Sequence, residues 1–292
     1  MNRSGAFRDK PALQKLLLQD LKSDDNLWQR WFGLPFNHAN MKEIAEKYGV
    51  DAALVYLMRE LVHAGDTPEV RQFVDDLISA IVPGTSVLDI IRRWYIWGWH
   101  DAPSNIRDRI EGTAFRTEAA TILGLVEQSL TETVTAKAWR NARSALSKAS
   151  GEAADQEPLS DLISSMAWDL EQAPGASADV ASSWGKVVAD EAMLRLDWPP
   201  ERQKRLQTLA LDAQKRVVEE LGIKSREDSA RLRTEFKARF DAILAGDDES
   251  ASLLARSAAV AQAREERRQD WLIDIRKGII DEAGAAAAAL TG

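Results

Sequence analysis

Apolar residues in this chain recur at intervals of three and four, and almost nowhere at intervals of two. Val70, Phe73, Val74, Leu77, Ile78 and Ile81 form one such stripe, and Trp271, Leu272, Ile275 and Ile279 form another. That spacing places side chains on one face of a helix with 3.6 residues per turn, whereas a half-buried strand needs strict alternation. No run of useful length alternates or is rich enough in Val, Ile, Thr and aromatics to read as a strand. The punctuation agrees. Ser86 with Asp89 three residues on reads as an acidic capping box, Pro83 and Gly84 stop the helix before it, and Pro103 stops the one after.

The spacing predicts helices near 11–22, 25–33, 40–48, 51–64, 67–81, 86–100 and 105–149, the last breaking around Thr131–Thr133. Further helices are predicted near 159–172, 178–196, 200–221, 226–245 and 249–284. The expected fold is all-α: a multi-helix antiparallel bundle or stacked helical hairpins, with long C-terminal helices and more than about two-thirds of residues helical, against a usual third. The stretch "SKASGEAADQEPLSD" (147–161) is small, polar and acidic. It marks the expected connector between a Trp-rich N-terminal region, 1–150, and a C-terminal region, 159–292, with long amphipathic helices.

Composition excludes whole classes of chemistry. Without cysteine there are no disulfides, zinc ribbons, iron–sulfur ligands or thiol nucleophiles. The net charge of −8 is modest for 292 residues, and a basic nucleic-acid surface would show as the opposite balance. Nucleic acid is therefore an unfavoured partner. No apolar run approaches the roughly 18–20 residues that span a bilayer, and the N-terminus lacks a signal-length apolar segment. The expectation is a soluble, cytoplasmic protein without membrane contact. Walker, Rossmann, Gly-x-Ser-x-Gly and His-Glu-x-x-His patterns are all absent, so no cofactor is expected.

Tryptophan is the favoured large residue, ten against seven Phe and three Tyr, and all three histidines lie in the first hundred positions. The stretch "RRWYIWGWHD" (92–101) combines both. Its Arg93-x6-His100 spacing sets the pair two turns apart on one helix face, about 10.5 Å along the axis. That pattern resembles the Arg-x4–6-His motif of the HEPN ribonucleases, all-α proteins that act without a metal, usually across a homodimer. The resemblance implies Arg93 as phosphate ligand and His100 as acid/base. It covers eight residues, and Trp94 stands where the family commonly has a polar residue. Against it, Trp94, Tyr95, Ile96, Trp97 and Trp99 wrap most of the helix, which suits a core helix with charged ends, Trp94 and Trp97 being core residues.

Two further motifs have alternatives of their own. Glu60 and His63 sit at i and i+3, the spacing of one half of a di-iron carboxylate site, but no second Glu-x-x-His exists to complete it. Residues 41–62 fit helix-turn-helix spacing around Gly49 and would make a DNA-binding regulator, although the second helix offers few donors for bases or phosphates. The C-terminal third is amphipathic and dense in mixed charge, as in helices that bury a stripe against a partner. Trp271, Ile275 and Ile279 are the expected interaction anchors. The function expected on balance is a non-catalytic helical protein–protein interaction or assembly subunit, such as a bacterial or phage accessory or immunity-type protein, with a protein partner or homo-oligomer.

Overall fold

The computed structural model describes residues 5–33, 37–62, 65–151, 157–225, 227–228 and 232–291. Helix makes up 79% of the described residues and no strand occurs among them, as the three-four periodicity requires. A short 3-10 turn, Ala6–Asp9, precedes α1 (Pro11–Ser23), α2 (Asp25–Phe32), α3 (His38–Tyr48), α4 (Ala52–Leu61), α5 (Pro68–Ala80) and α6 (Val87–His100). Then follow α7 (Arg107–Ile110), α8 (Arg116–Gln128), α9 (Ala136–Ser150), α10 (Glu157–Met166) and α11 (Ala176–Arg195). The last three are α12 (Pro200–Leu221), α13 (Arg233–Gly246) and α14 (Asp248–Thr291).

Local sequence sets these ends. Asp24, Asn37, Asp51, Thr67, Ser86 and Thr135 each accept a backbone N–H of the helix they open, satisfying donors that the helix itself cannot. Gly49 closes α3 with φ 65° and Gly222 closes α12 with φ 60°, the left-handed cap that suits glycine. The helix expected over 105–149 does break around Thr131–Thr133, between α8 and α9, and it breaks once more, so that it is three helices. Gly112, with φ 85°, separates α7 from α8, and Thr135 starts α9 afresh. At the other end, α14 runs through the alanine-rich tail to Thr291, where alanine's high helix propensity prolongs it.

The chain forms two compact units, but not the two expected. The first comprises Met1–Val187 together with Asp270–Gly292, and the second Val188–Gln269. The boundaries fall inside α11 and α14, so the polar stretch at 147–161, of which 152–156 lie outside the described residues, does not mark a boundary between the units. The reason is that the end of α14 carries apolar side chains that complete the first unit's core.

In that first unit α4 is central: Ala53, Leu54, Val55, Leu57, Met58 and Leu61 are all buried. The indole N–H of Trp31 donates to the Val55 carbonyl at 3.0 Å, and the Ser177 hydroxyl donates to that of Ala53 at 2.7 Å. The second unit is built differently. Its α12 and α13 pack as a hairpin, and Trp198, Leu206 and Val260 form a small buried cluster flanked by Met193 and Leu253.

Candidate interaction site

The aromatic residues that the sequence brings forward are used to lock three helices together. Trp184 of α11 lies over Gly98 of α6, Trp271 of α14 over Gly185 of α11, and Trp97 of α6 over Gly278 of α14. Each helix gives one tryptophan and receives one on a glycine, and the three contacts close a ring. Trp184 is its hub, 5.7 Å from Trp94, 6.4 Å from Trp97 and 5.9 Å from Trp271 between ring centroids. Its indole N–H donates to the Ser104 carbonyl at 3.1 Å. Trp94 is fully buried, while Trp97 is half-buried at the rim. The signal was legible in the repeated Trp-Gly pairs at 97–98 and 184–185, which sequence reasoning passed over.

This ring corrects the expected interaction anchors. Trp271, Ile275 and Ile279 are at most 2% exposed, and what covers them is the first unit itself. A residue sealed in its own core cannot anchor a partner.

The Arg93/His100 pair lies in acidic surroundings. Arg93 is exposed on α6 and acts on Glu282, whose carboxyl is pushed up by burial, pulled down by Arg93 and pushed up again by Asp281 and Asp101. The Nε2 of His100 lies 3.9 Å from a Glu127 carboxylate oxygen. A phosphate brought to this pair would meet Asp101, Glu127, Asp281 and Glu282 as well, so the local field opposes the ligand that the HEPN resemblance implies. Neighbouring Arg92 is buried and fully engaged, reaching Asp89 and the Ser129 carbonyl.

The helix-turn-helix expectation meets a steric objection. Its recognition helix would be α4, which the first unit surrounds on most of its circumference; a helix so enclosed cannot enter a major groove. Of the Glu60/His63 pair, His63 lies outside the described residues, and no group of three or more His, Cys, Asp or Glu poised for a metal occurs among the described ones.

Two surface clefts of the first unit exceed 500 Å3 among the described residues. One is a cleft of about 530 Å3 beside the 3-10 turn, edged by Arg8, Lys42, Glu46, Asp51 and Glu171, a rim of two cations and three acids. The other is a groove of about 610 Å3 between α5 and α14. Its floor is Phe73 and Ile280, its α5 wall carries Glu69 and Asp76, and its α14 wall carries Ile273 and Lys277. Arg276 is held at the groove's base, with its guanidinium donating twice to the Leu61 carbonyl at 2.9 and 2.6 Å and lying 5.3 Å from the Phe73 ring centre. Ile273 is 65% exposed.

The second unit leaves more apolar surface open than its size would suggest. Leu194, Leu196, Leu211 and Leu254 are exposed. In the hairpin, Phe236 and Phe240 stack at 6.0 Å yet stay half-exposed, with Leu232 and Ile243 on the same side. No family model, curated protein or solved structure matches this chain.

Proposed function

We propose that this chain is a non-catalytic helical interaction or assembly component, and that the α12–α13 hairpin is its docking element. One observation carries the reading: the second unit spans 188–269, yet beyond three alanines the only apolar side chains its described residues bury are Val188, Trp198, Leu206, Val217, Leu244 and Val260. Small units with thin cores draw stability from elsewhere, association included. The Leu232–Phe236–Phe240–Ile243 stripe has the four-four-three spacing of helices that seat in a partner's groove. The interface therefore belongs to 200–246 rather than to Trp271, Ile275 and Ile279.

Crosslinking of the protein in its source cell, followed by peptide mapping, tests this. Lys204, Lys215, Lys224 and Lys237 should link to residues of another chain, and replacing Phe236 and Phe240 together by Ser should abolish those links while the first unit's melting transition stays in place. A chain that links only to itself refutes the reading.

A further inference from the structure

The two units divide the chain's charge unequally. Residues 188–269 hold sixteen Lys and Arg against sixteen Asp and Glu. The whole excess, 46 acids to 38 bases, therefore lies in the first unit. Within the hairpin, residues 200–246, the balance is eleven basic to eight acidic. A positive, apolar-striped helix pair and a negative, grooved body are thus parts of one sequence.

We propose that the hairpin docks on a second copy of this chain, with α13 lying in the groove between α5 and α14 of that copy. This rests on the reading of the hairpin as the docking element. Three features fit one another. The groove is walled by two helices whose lining residues fall at i, i+4 and i+7: Glu69, Phe73 and Asp76 on one, Ile273, Lys277 and Ile280 on the other. That spans two helical turns, the length over which Leu232, Phe236 and Phe240 present large apolar groups. The exposed Ile273 and the floor at Phe73 and Ile280 give those groups apolar surface to cover, and burial of such surface is the main driving force for association. Charge then sets the orientation. Arg233, Lys237 and Asp241 each follow an anchor by one residue and so share one flank of α13, which keeps a net positive charge with Lys237 paired to Asp241, opposite the acidic wall of Glu69 and Asp76. Glu235 and Arg239, ion-paired with each other, lie on the other flank, which is neutral and faces Lys277. Laying the helix the other way would turn the net-positive flank toward Lys277 and away from Glu69 and Asp76, which selects against it.

Light scattering of the full chain over a concentration series, at low and at high salt, tests the proposal. The mass should exceed that of the 32.4 kDa chain at micromolar concentration and fall toward it as salt screens the pairs. Lys237→Glu and Asp76→Lys, both at exposed positions, should each raise the dissociation constant about tenfold or more, and the double variant should restore association. Melting curves of the three variants should match the parent, which separates lost docking from lost folding. Association that neither single variant weakens, or that the double variant fails to restore, overturns the groove assignment. A chain that is monomeric throughout overturns the second copy as partner; the docking-element reading then survives if the hairpin lysines still crosslink to a different protein in the cell, and falls with it if they do not.

Discussion

At the scale of single residues, the tryptophan–glycine ring decides what can be changed. A Cβ at Gly98 would lie 2.3 Å from the Trp184 ring, and one at Gly278 would lie 2.4 Å from that of Trp97. The distances are alike, but the neighbours differ. Trp184 is fully buried and has nowhere to go, whereas Trp97 is half-buried and can swing outward. Gly98→Ala should therefore cost at least the roughly 1–3 kcal/mol of overpacking. Gly278→Ala should cost far less, since the gain of about 1 kcal/mol in helix propensity offsets a small displacement. Thermal melts of the two variants check this, and equal losses would mean that the ring tolerates no movement at either end. Asp51 offers a titration counterpart. Burial pushes its carboxyl up, with Glu171 adding and Arg92 and the Ala53 N–H opposing. A raised folded value means that the charge costs stability at neutral pH. That cost sets in as pH rises past the ordinary aspartate range and is complete above the raised value. Asp51→Asn keeps the cap on α4 and should melt higher than the parent at pH 7, the gap closing as pH falls below about 4. A gap independent of pH would show that the carboxylate carries no burial cost.

Elements were the most legible level. Periodicity and caps place nearly every helix because both are local: the 3.6-residue stripe and the N-cap hydrogen bond need no knowledge of what lies across the core. In 105–149 the break around Thr131–Thr133 was legible, but the one before α8 was not: no proline marks it, and it rests on the left-handed turn at Gly112, whose neighbours look helical. What could not be read locally is which side of an amphipathic helix faces a partner and which faces the chain's own core. The stripe of α14 at Trp271, Ile275 and Ile279 looks the same in either case. The glycines that receive tryptophans sit on other helices far away in sequence, and only their pairing reveals the stripe as core. Truncation before Glu249 should accordingly unfold the first unit, because it removes three side chains that are at most 2% exposed and empties one side of the ring. Loss of near-ultraviolet circular dichroism and of a cooperative melt is the expected result; a shortened chain that keeps both would return α14 to the list of peripheral helices.

For the whole molecule, the division into units was the part least visible in the sequence. A composition shift marks a polar connector wherever it lies, and the one at 147–161 marks no boundary between the units, while the true boundaries pass unmarked through the middle of α11 and α14. The physical difference between the units is instead one of burial. The first encloses α4, α6 and the tryptophan ring, whereas the second gathers few fully buried side chains beneath a dense coat of charge. Opening free energy follows buried apolar contact rather than helix content, and exposed ion pairs such as Lys237–Asp241 and Arg239–Glu235 add little to it. Amide exchange should therefore be graded: peptides from 200–246 exchange first, and those from α4, α6 and 271–283 last. Crossing the concentration at which the chain associates should slow exchange in α13 and in α5 together, since both become covered, and leave α4 unchanged. If α13 alone were protected, the covering surface would lie elsewhere than the α5–α14 groove; if the second unit exchanged as slowly as the first at every concentration, its core would be sufficient by itself and the case for a docking hairpin would lose its footing.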